Sequence, residues 1–536
     1  MHSKLPQTEP LGNIGTQRAN SSRWILFLMP SVSDLLFVAL LLGLSCGAMG
    51  RLLLRDAGTG WHIRNGQLML QTHSVTRLDP FSATMSGHSW YAWEWLYDVF
   101  IAGVHNWLGL NGVVFVTAAV MAVTFVLVFR LAMRRGGSLP IVLIMLVLSL
   151  AASAVHFLAR PHVFSWLFTV IWLELLDSAA EPNSEHRRIY FLPLLMLLWV
   201  NVHGGFVFGF ALLAVYIVAA GIEYFTCPEQ RERIRGWLKR LGVVSLLSLL
   251  ASFVNPYGYK LHLHIYHYLS DKFLMNQVSE FRSPDFHGAA QQCFAVLLLA
   301  TITAVASARR QQQLARLLVM LLAAYSGLYA SRNLPLSAIL LTLIVAPMLS
   351  NTVATAVGNE RVAPRLRAAL SRLQSFGARM EKLELDFRGH VWLIIAFVVG
   401  IWACMNSGRL GSKQLINAHF DDKRFPVEAT EVIIQDDIRE PIFCPDQWGG
   451  YLIYTLYPRT KVLVDDRHDL YGDQFFKDYL KVVYVQEDWS KILDERGVNW
   501  ILVQKDSSLG TILEQTPGWK LIHADDTAVL FHREKT

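Results

Sequence analysis

The sequence predicts a polytopic α-helical membrane protein of about eleven transmembrane helices, carrying a C-terminal soluble mixed α/β domain. Three observations predict it. The chain is 53% hydrophobic and only 17% charged, with a mean hydropathy of +0.34, whereas a soluble domain carries about a quarter charged residues. The apolar residues come in blocks of roughly 15–25 without charges, the length of a bilayer span. Lys and Arg are shared unequally between alternate connecting segments, 23 on one side and 9 on the other, which is the positive-inside bias.

The spans are predicted at 34–54, 111–133, 139–156, 161–178, 189–202, 205–225, 240–254, 289–307, 314–331, 335–350 and 391–408. Residues 189–222 hold no Lys, Arg, Asp or Glu. One helix of that length would run ~51 Å, too long for a bilayer, so it breaks at Asn201-Val202-His203-Gly204-Gly205. Leu139–Leu176 breaks for the same reason at His156-Phe157-Leu158-Ala159-Arg160-Pro161-His162. Residues 1–33 form a polar N-terminal tail on the Lys/Arg-rich, cytoplasmic side. Its following apolar segment is long enough to remain as an anchor. The stretch 361–388 is basic and amphipathic, suited to the anionic inner leaflet. With an odd number of spans, the chain beyond Gly408 falls on the opposite face.

Residues 409–536 differ in charge from what precedes them, with 16 Lys and Arg against 22 Asp and Glu. Pro426–Ile434 reads as a helix with proline in its first turn. Lys461–Val464, Asn499–Val503 and Ala528–Phe531 read as strands, with helices near 474–485 and 489–496. The five cysteines are scattered at 46, 227, 293, 404 and 444, so neither a disulfide framework nor a zinc site is expected. There is no P-loop, no nucleotide-binding glycine motif and no basic nucleic-acid face. A nucleotide-sugar donor and a nucleic-acid partner are therefore not expected, and no cofactor or metal is indicated.

The chemistry-capable residues fall on the non-cytoplasmic side: Arg55-Asp56, Trp61-His62, Glu94, Asp98, Arg160, His162, Asn201, His203, Asn255 and Arg332-Asn333. Polar side chains beside spans are costly and usually functional. The longest outer loop, 55–110, is dense in tryptophan and tyrosine, which favour the interface, and predicts short helices along the membrane with carboxylates at Asp56, Asp79 and Glu94. The cytoplasmic turns show only solvated bases such as Arg134-Arg135 and Arg187-Arg188. Plainer roles fit several of these residues too: helix caps for Asp79, Asp98 and His162, headgroup anchoring for Arg332, and a helix-ending turn for Asn255-Pro256-Tyr257-Gly258.

An Asp just after the first span, followed by an aromatic, a Gly and a long juxtamembrane loop, resembles the C-type (GT-C) membrane glycosyltransferases. This group includes protein O-mannosyltransferases and the aminoarabinose transferase of lipid A. Asp56-Ala57-Gly58-Thr59-Gly60-Trp61-His62, Asp79-Pro80-Phe81-Ser82, Glu94-Trp95-Leu96, Arg160-Pro161, His203-Gly204-Gly205, Arg332-Asn333 and Trp448-Gly449-Gly450-Tyr451 carry the resemblance across nearly the whole chain. Relatives often have a second acid directly after the first; here Ala57 stands there, and Glu94 is the candidate second carboxylate.

The resemblance implies transfer of a sugar from a polyprenyl-phosphate carrier to a glycan, lipid or protein acceptor on the periplasmic face of a bacterial inner membrane. The reaction needs a base for the acceptor hydroxyl and cations for the departing phosphate. Asp56 and Glu94 are then the catalytic candidates. Trp61, His62, Arg160, His162, His203 and Arg332 are substrate-binding candidates, with arginine able to hold two oxygens. Asp446-Gln447-Trp448-Gly449-Gly450-Tyr451, followed by Asp465-Asp466-Arg467, resembles the Trp-Asp-Tyr-Gly signature of oligosaccharyltransferases, adding Trp448 and Tyr451 as acceptor-binding candidates. Alternatively, that segment is a helix start with a glycine turn, and the charged run after it is solvated surface. Two competing functions are an oligosaccharide polymerase or ligase of the same architecture, and a non-catalytic transporter or assembly scaffold. No repeat pairing of broken helices favours a transporter.

Overall fold

In the computed structural model, which describes residues 28–181, 186–308, 313–387 and 389–534, helices dominate and a small sheet closes the C-terminal end. Most of the expected N-terminal tail, residues 1–27, lies outside the described residues, as do Arg309, Arg310 and Arg388. Among the described residues six helices are long and apolar enough to cross a membrane, and Val32–Ser45, Leu314–Tyr329 and Val391–Met405 are shorter apolar helices. The chain is a multi-pass membrane protein. A helix lies over each of the eleven expected spans, though not every one has the length and apolarity of a full crossing.

The two inferred breaks are present. Leu139–Ser153 ends in a 3-10 turn at Ala154–His156 before His162–Ala180 begins, and Leu192–Val202 gives way to the turn Gly204–Phe206. Two boundaries differ from expectation. The first span is two pieces, Val32–Ser45 and Gly47–Leu52, parted where Cys46 is extended. The second span does not begin at 111: one helix runs Trp95–Arg134, with the backbone leaving helical geometry only at Gly109, φ 62° and ψ −162°. Glycine takes that conformation without the Cβ clash other residues meet, so loop and span run on as one kinked element.

The end expected to hold only solvated bases holds a polar cluster instead. Asp177, buried in His162–Ala180, accepts from Arg316 Nε and Nη2 at 3.0 and 2.9 Å and from Tyr216 at 3.1 Å, and pairs with Arg135 at 3.0 Å. Arg134 and Arg135 also reach Glu174. Inward-turned acids on a span make the arginines structural. Replacing Asp177 with Ala removes the buried carboxylate that Arg316 and Arg135 share, leaving them Glu181 and Glu174, and is expected to cost about 2–3 kcal/mol. Thermal unfolding in detergent checks this; an unchanged midpoint would mean that water reaches both arginines. The amphipathic helix Pro364–Asp386 is tied to the helix Val32–Ser45, because Glu384 accepts from Ser33 N and Oγ, and just after it His390 faces Asp34 at 2.9 Å.

Among the described residues the C-terminal region has a two-stranded ribbon, Arg409–Leu410 with Lys413–Gln414, and a four-stranded sheet in the order Ile442–Phe443, Trp500–Gln504, Ala528–Arg533, Trp519–Ala524, its first pair parallel and the others antiparallel. The strand expected at Lys461–Val464 is reduced to bridges from Val462 to Ile442 and to Ser82 of the first loop. That loop therefore extends the sheet. Trp448, Leu452 and Leu502 belong to the same apolar core as the membrane helices. The helices Gly58–Thr72 and Asp446–Leu456 cross at Gly60 and Gly450, where a Cβ on either would strike backbone of the other segment. Only glycine permits that approach, which gives Gly450 a packing reason, while Gly449 is confined by Val464 and Asp465.

Candidate functional site

Where the helix ends meet the sheet region, a cavity of about 1060 Å³ opens. The turns at 156–162, 203–207 and 331–336, the first loop and the segments 423–425, 446–448 and 466–469 all face it. One wall is apolar, with Val207, Phe208, Ile265, Leu269 and Leu336. The remainder carries six carboxylates, with a seventh, Asp98, fully buried, and six Lys or Arg side chains, so acids and bases are nearly matched in number.

Local hydrogen bonds place Arg160 against Asp56. Ala159 N–H donates to Leu53 O at 2.8 Å, docking the turn on the end of the first span. Thr59 and Tyr97 hydroxyls donate to Ala159 O. Arg160 Nη1 then lies 2.8 Å from Asp56 Oδ1 and 3.1 Å from Asp466 Oδ2, bridging an acid of the first loop and an acid of the sheet region. Trp61 Nε1 donates to Asp466 Oδ1 at 2.9 Å. Asp56 Oδ1 also accepts from Gly58 N–H at 2.8 Å, and no hydrogen bond to its Oδ2 is found among the described residues. Burial pushes Asp466 up to about 6, against the pull of Arg160. Burial opposes the charge on Arg160, but Asp56 and Asp466 outweigh it and hold the guanidinium firmly protonated.

A second group surrounds Glu94, which caps the helix Trp95–Arg134. Its Oε2 lies 3.6 Å from His62 Nε2 and its Oε1 3.5 Å from His203 Nε2. Behind His62, Asp98 Oδ1 is 2.6 Å from Nδ1, and Asn65 Nδ2 donates to Asp98 Oδ2 at 2.6 Å. Behind His203, Ser165 Oγ is 2.7 Å from Nδ1, which also accepts from Gly205 N–H. Burial pushes Glu94 up to about 7, although Arg160 pulls the other way. Burial, then the nearby Arg160 for His62 and Arg332 for His203, holds both imidazoles neutral.

Several expected roles change. Arg332, which has no acid near it in sequence, pairs with Glu280 at 3.4 Å and stacks on Phe281. Glu280 also faces His156 at 3.3 Å; burial would raise it, but Arg332 and His156 hold it well below the usual carboxylate range. His162 lines the cavity and hydrogen bonds to His156 O at 2.9 Å. Trp448 lines it too, its Nε1 donating to Arg424 O. Tyr451 is not among the lining residues; it packs on Phe420 and Phe425 because its helix turns that face inward. The run Asp465–Asp469 is not solvated: Asp465 and Arg467 are buried, Arg467 meeting Asp79, and His468 pairs with Asp446 at 2.8 Å. Asp79 also accepts from Phe81 and Ser82 N–H, so it caps a turn and holds an arginine at once.

The residues missed were Asp466, Ser165, Glu280, Arg424 and the cavity role of Arg55. Arg55 donates to the carbonyls of Ala154 and Val155, at 2.9 and 2.5 Å, and faces no carboxylate within ion-pair range among the described residues. Burial first, then the like charge of Arg424, holds it below the usual guanidinium range. The adjacent Arg55-Asp56 pair was the available signal.

No protein-family model matches this sequence, and no curated protein matches it. Solved structures do. The Archaeoglobus fulgidus oligosaccharyltransferase in its apo form superposes with a TM-score of 0.56 at 10% identity, over 91% of this chain and 70% of that one. The archaeal oligosaccharyltransferase AglB from Archaeoglobus fulgidus, in complex with an inhibitory peptide and a dolichol-phosphate, gives 0.56 at 9% identity, over 90% and 69%. ArnT from Cupriavidus metallidurans bound to undecaprenyl phosphate gives 0.48 at 11% identity, over 95% and 98%. At such identities the likeness is one of fold, and the fold is GT-C-like.

Proposed function

We propose that this chain transfers a sugar from a polyprenyl-phosphate carrier to a glycan, lipid or protein acceptor at the periplasmic face of a bacterial inner membrane. The observation that carries the reading is Arg160, bridging Asp56 and Asp466 in a cavity with one apolar wall. A lipid phosphate needs cation and apolar surface together, and a reacting hydroxyl needs a held carboxylate. Asp56 meets the second need: Oδ1 is anchored by Arg160 and Gly58 N–H, which leaves Oδ2 for the acceptor. Arg55 and Arg424, like charges facing no carboxylate within ion-pair range among the described residues, are where we place the phosphate. Arg160, His162, His203 and Arg332 flank it in this reading, Trp61 and His62 support the wall, and Trp448 stands toward the acceptor. The glycosyltransferase class is shared with the structures this fold resembles.

The test is direct binding of undecaprenyl phosphate to the purified protein in nanodiscs. Binding is expected, and Arg424→Ala should weaken it about tenfold, the worth of one charge-assisted hydrogen bond. Equal binding of the uncharged polyprenol would remove the phosphate from the reading. A reporter active only in the periplasm, fused after Thr536, should be active; activity of a cytoplasm-only reporter there would reverse the orientation.

A further inference from the structure

The strongest unexplained arrangement is the line Asp98–His62–Glu94. Asp98 and His62 are fully buried, while Glu94 lines the cavity. Among the described residues His62 Nε2 is a buried nitrogen with no hydrogen-bond partner, and Glu94 Oε2 lies 3.6 Å from it. Its other nitrogen sits 2.6 Å from Asp98. A neutral imidazole carries one proton, so it donates to one of these carboxyls and accepts from the other. Two arrangements then satisfy the line. Either Asp98 is a carboxylate, His62 holds its proton on Nδ1 and Glu94 is an acid, or Asp98 is an acid, Nε2 holds the proton and Glu94 is a carboxylate.

We propose that His62 is a proton relay between Glu94, at the cavity wall, and Asp98, sealed behind it. As the proton on Glu94 moves to Nε2, the proton on Nδ1 moves to Asp98. Two protons are shared by three groups before and after, and no charge leaves the line. Glu94 can thus face the cavity as carboxylic acid or as carboxylate without water entering. His203 steadies it: Gly205 N–H occupies its Nδ1, so its own proton lies on Nε2, toward Glu94 Oε1 in either state. Contacts of 3.5–3.6 Å between catalytic groups often tighten only in the substrate complex.

Other charges face Glu94 from each packed element: Arg160 and Arg332 from the membrane turns, Asp466 and Asp469 from the sheet region. Resting on the transferase reading, the relay assigns the leaving-group proton. The bond from the sugar carbon to the phosphate oxygen breaks as the bond to the acceptor oxygen forms. The acceptor proton goes to Asp56 Oδ2, and Glu94 in its acid state protonates the departing phosphate. Both carboxyls then return to their starting states through the cavity water.

The test pairs an infrared measurement with a pH profile, using the near-isosteric variants Glu94→Gln and Asp98→Asn and their double. At neutral pH the wild type should show a protonated-carboxyl band that is absent in the double variant and altered in each single one. In transfer assays, Asp98→Asn should leave undecaprenyl phosphate binding within twofold, lower turnover at least tenfold and shift the alkaline limb of the pH profile. A positioning role alone would leave that profile in place. A wild type without the band overturns the relay, as does an Asp98→Asn variant whose profile and turnover match wild type. The infrared arm is blind to the reaction, so the band in a protein that transfers no sugar supports the relay and removes only the transferase reading.

Discussion

Replacing Asp56 with Asn is expected to lower sugar transfer by about two to four orders of magnitude while the protein stays folded. Asn keeps the shape of the side chain and its carbonyl oxygen can still accept from Gly58 N–H and from Arg160 Nη1, at positions now 2.8 Å away. What disappears is the free carboxylate oxygen. If Asp56 served only to start the helix Gly58–Thr72, Asn would serve nearly as well and the change would cost little stability and little activity. Transfer in membranes, with expression measured in parallel, separates the two. Near-normal transfer would take Asp56 out of the chemistry and leave Glu94 as the carboxylate to test as the base. Arg160→Lys sharpens the comparison: a lysine keeps a charge between Asp56 and Asp466 but loses the rigid guanidinium plane, so an intermediate loss is expected.

The helical class and most element positions were legible because a span is a local property: length and hydropathy suffice. The breaks at Arg160 and at His203-Gly204 were legible for the same reason, since a single helix could not hold so many apolar residues. The continuous Trp95–Arg134 helix was not, because the amphipathic turns before Gly109 carry tryptophan, His105 and Asn106, which read as interface. Pairing partners were the larger gap. Arg332 has no acid near it in sequence, yet Glu280, 52 positions earlier, reaches it through the turn Ser279–Phe281. Asp177 looked like the end of a span and became the centre of a cluster when three helices turned toward it. The run Asp465–Asp469 read as surface since charge is usually solvated; its burial depends on the first loop, which lies some 380 residues away. Apart from that helix, each miss is a long-range contact that no local pattern encodes.

That last contact gives the second large effect. Arg467 is 3% exposed and holds the first loop to the sheet region. Its Nε and Nη2 fork onto Asp465 at 2.8 and 2.7 Å, and Tyr471 donates to the same carboxylate at 2.7 Å. Nη1 lies 2.8 Å from Asp79 Oδ1, a charge contact whose angle is not that of a hydrogen bond. The guanidinium also stacks over Trp90, its carbon 4.5 Å from the ring centre. Arg467→Met would fill much of the volume but leave two fully buried carboxylates without their counter-ion, which is expected to destabilise by about 3–5 kcal/mol. Burial alone would raise Asp465; Arg467 outweighs it and keeps the carboxyl below its usual range. A carboxyl depressed in the folded state stabilises above its unfolded pKa, near 4, and loses that contribution as pH falls toward the folded value. The Asp465–Arg467 contribution should therefore be constant from pH 8 to pH 5 and fade below about 4, on top of a gain toward lower pH from the raised Glu94 and Asp466 that wild type and Met variant share. The Met variant should start lower at neutral pH and lose less on acidification, since its unpaired carboxyls gain by taking up protons. Adding Asp79→Asn and Asp465→Asn to the Met variant should recover part of the loss, because neutral amides are cheaper to bury than charges. Thermal unfolding in detergent across that pH range measures all three proteins, and a Met variant with the wild-type midpoint would show that this buried tie does not hold the loop in place.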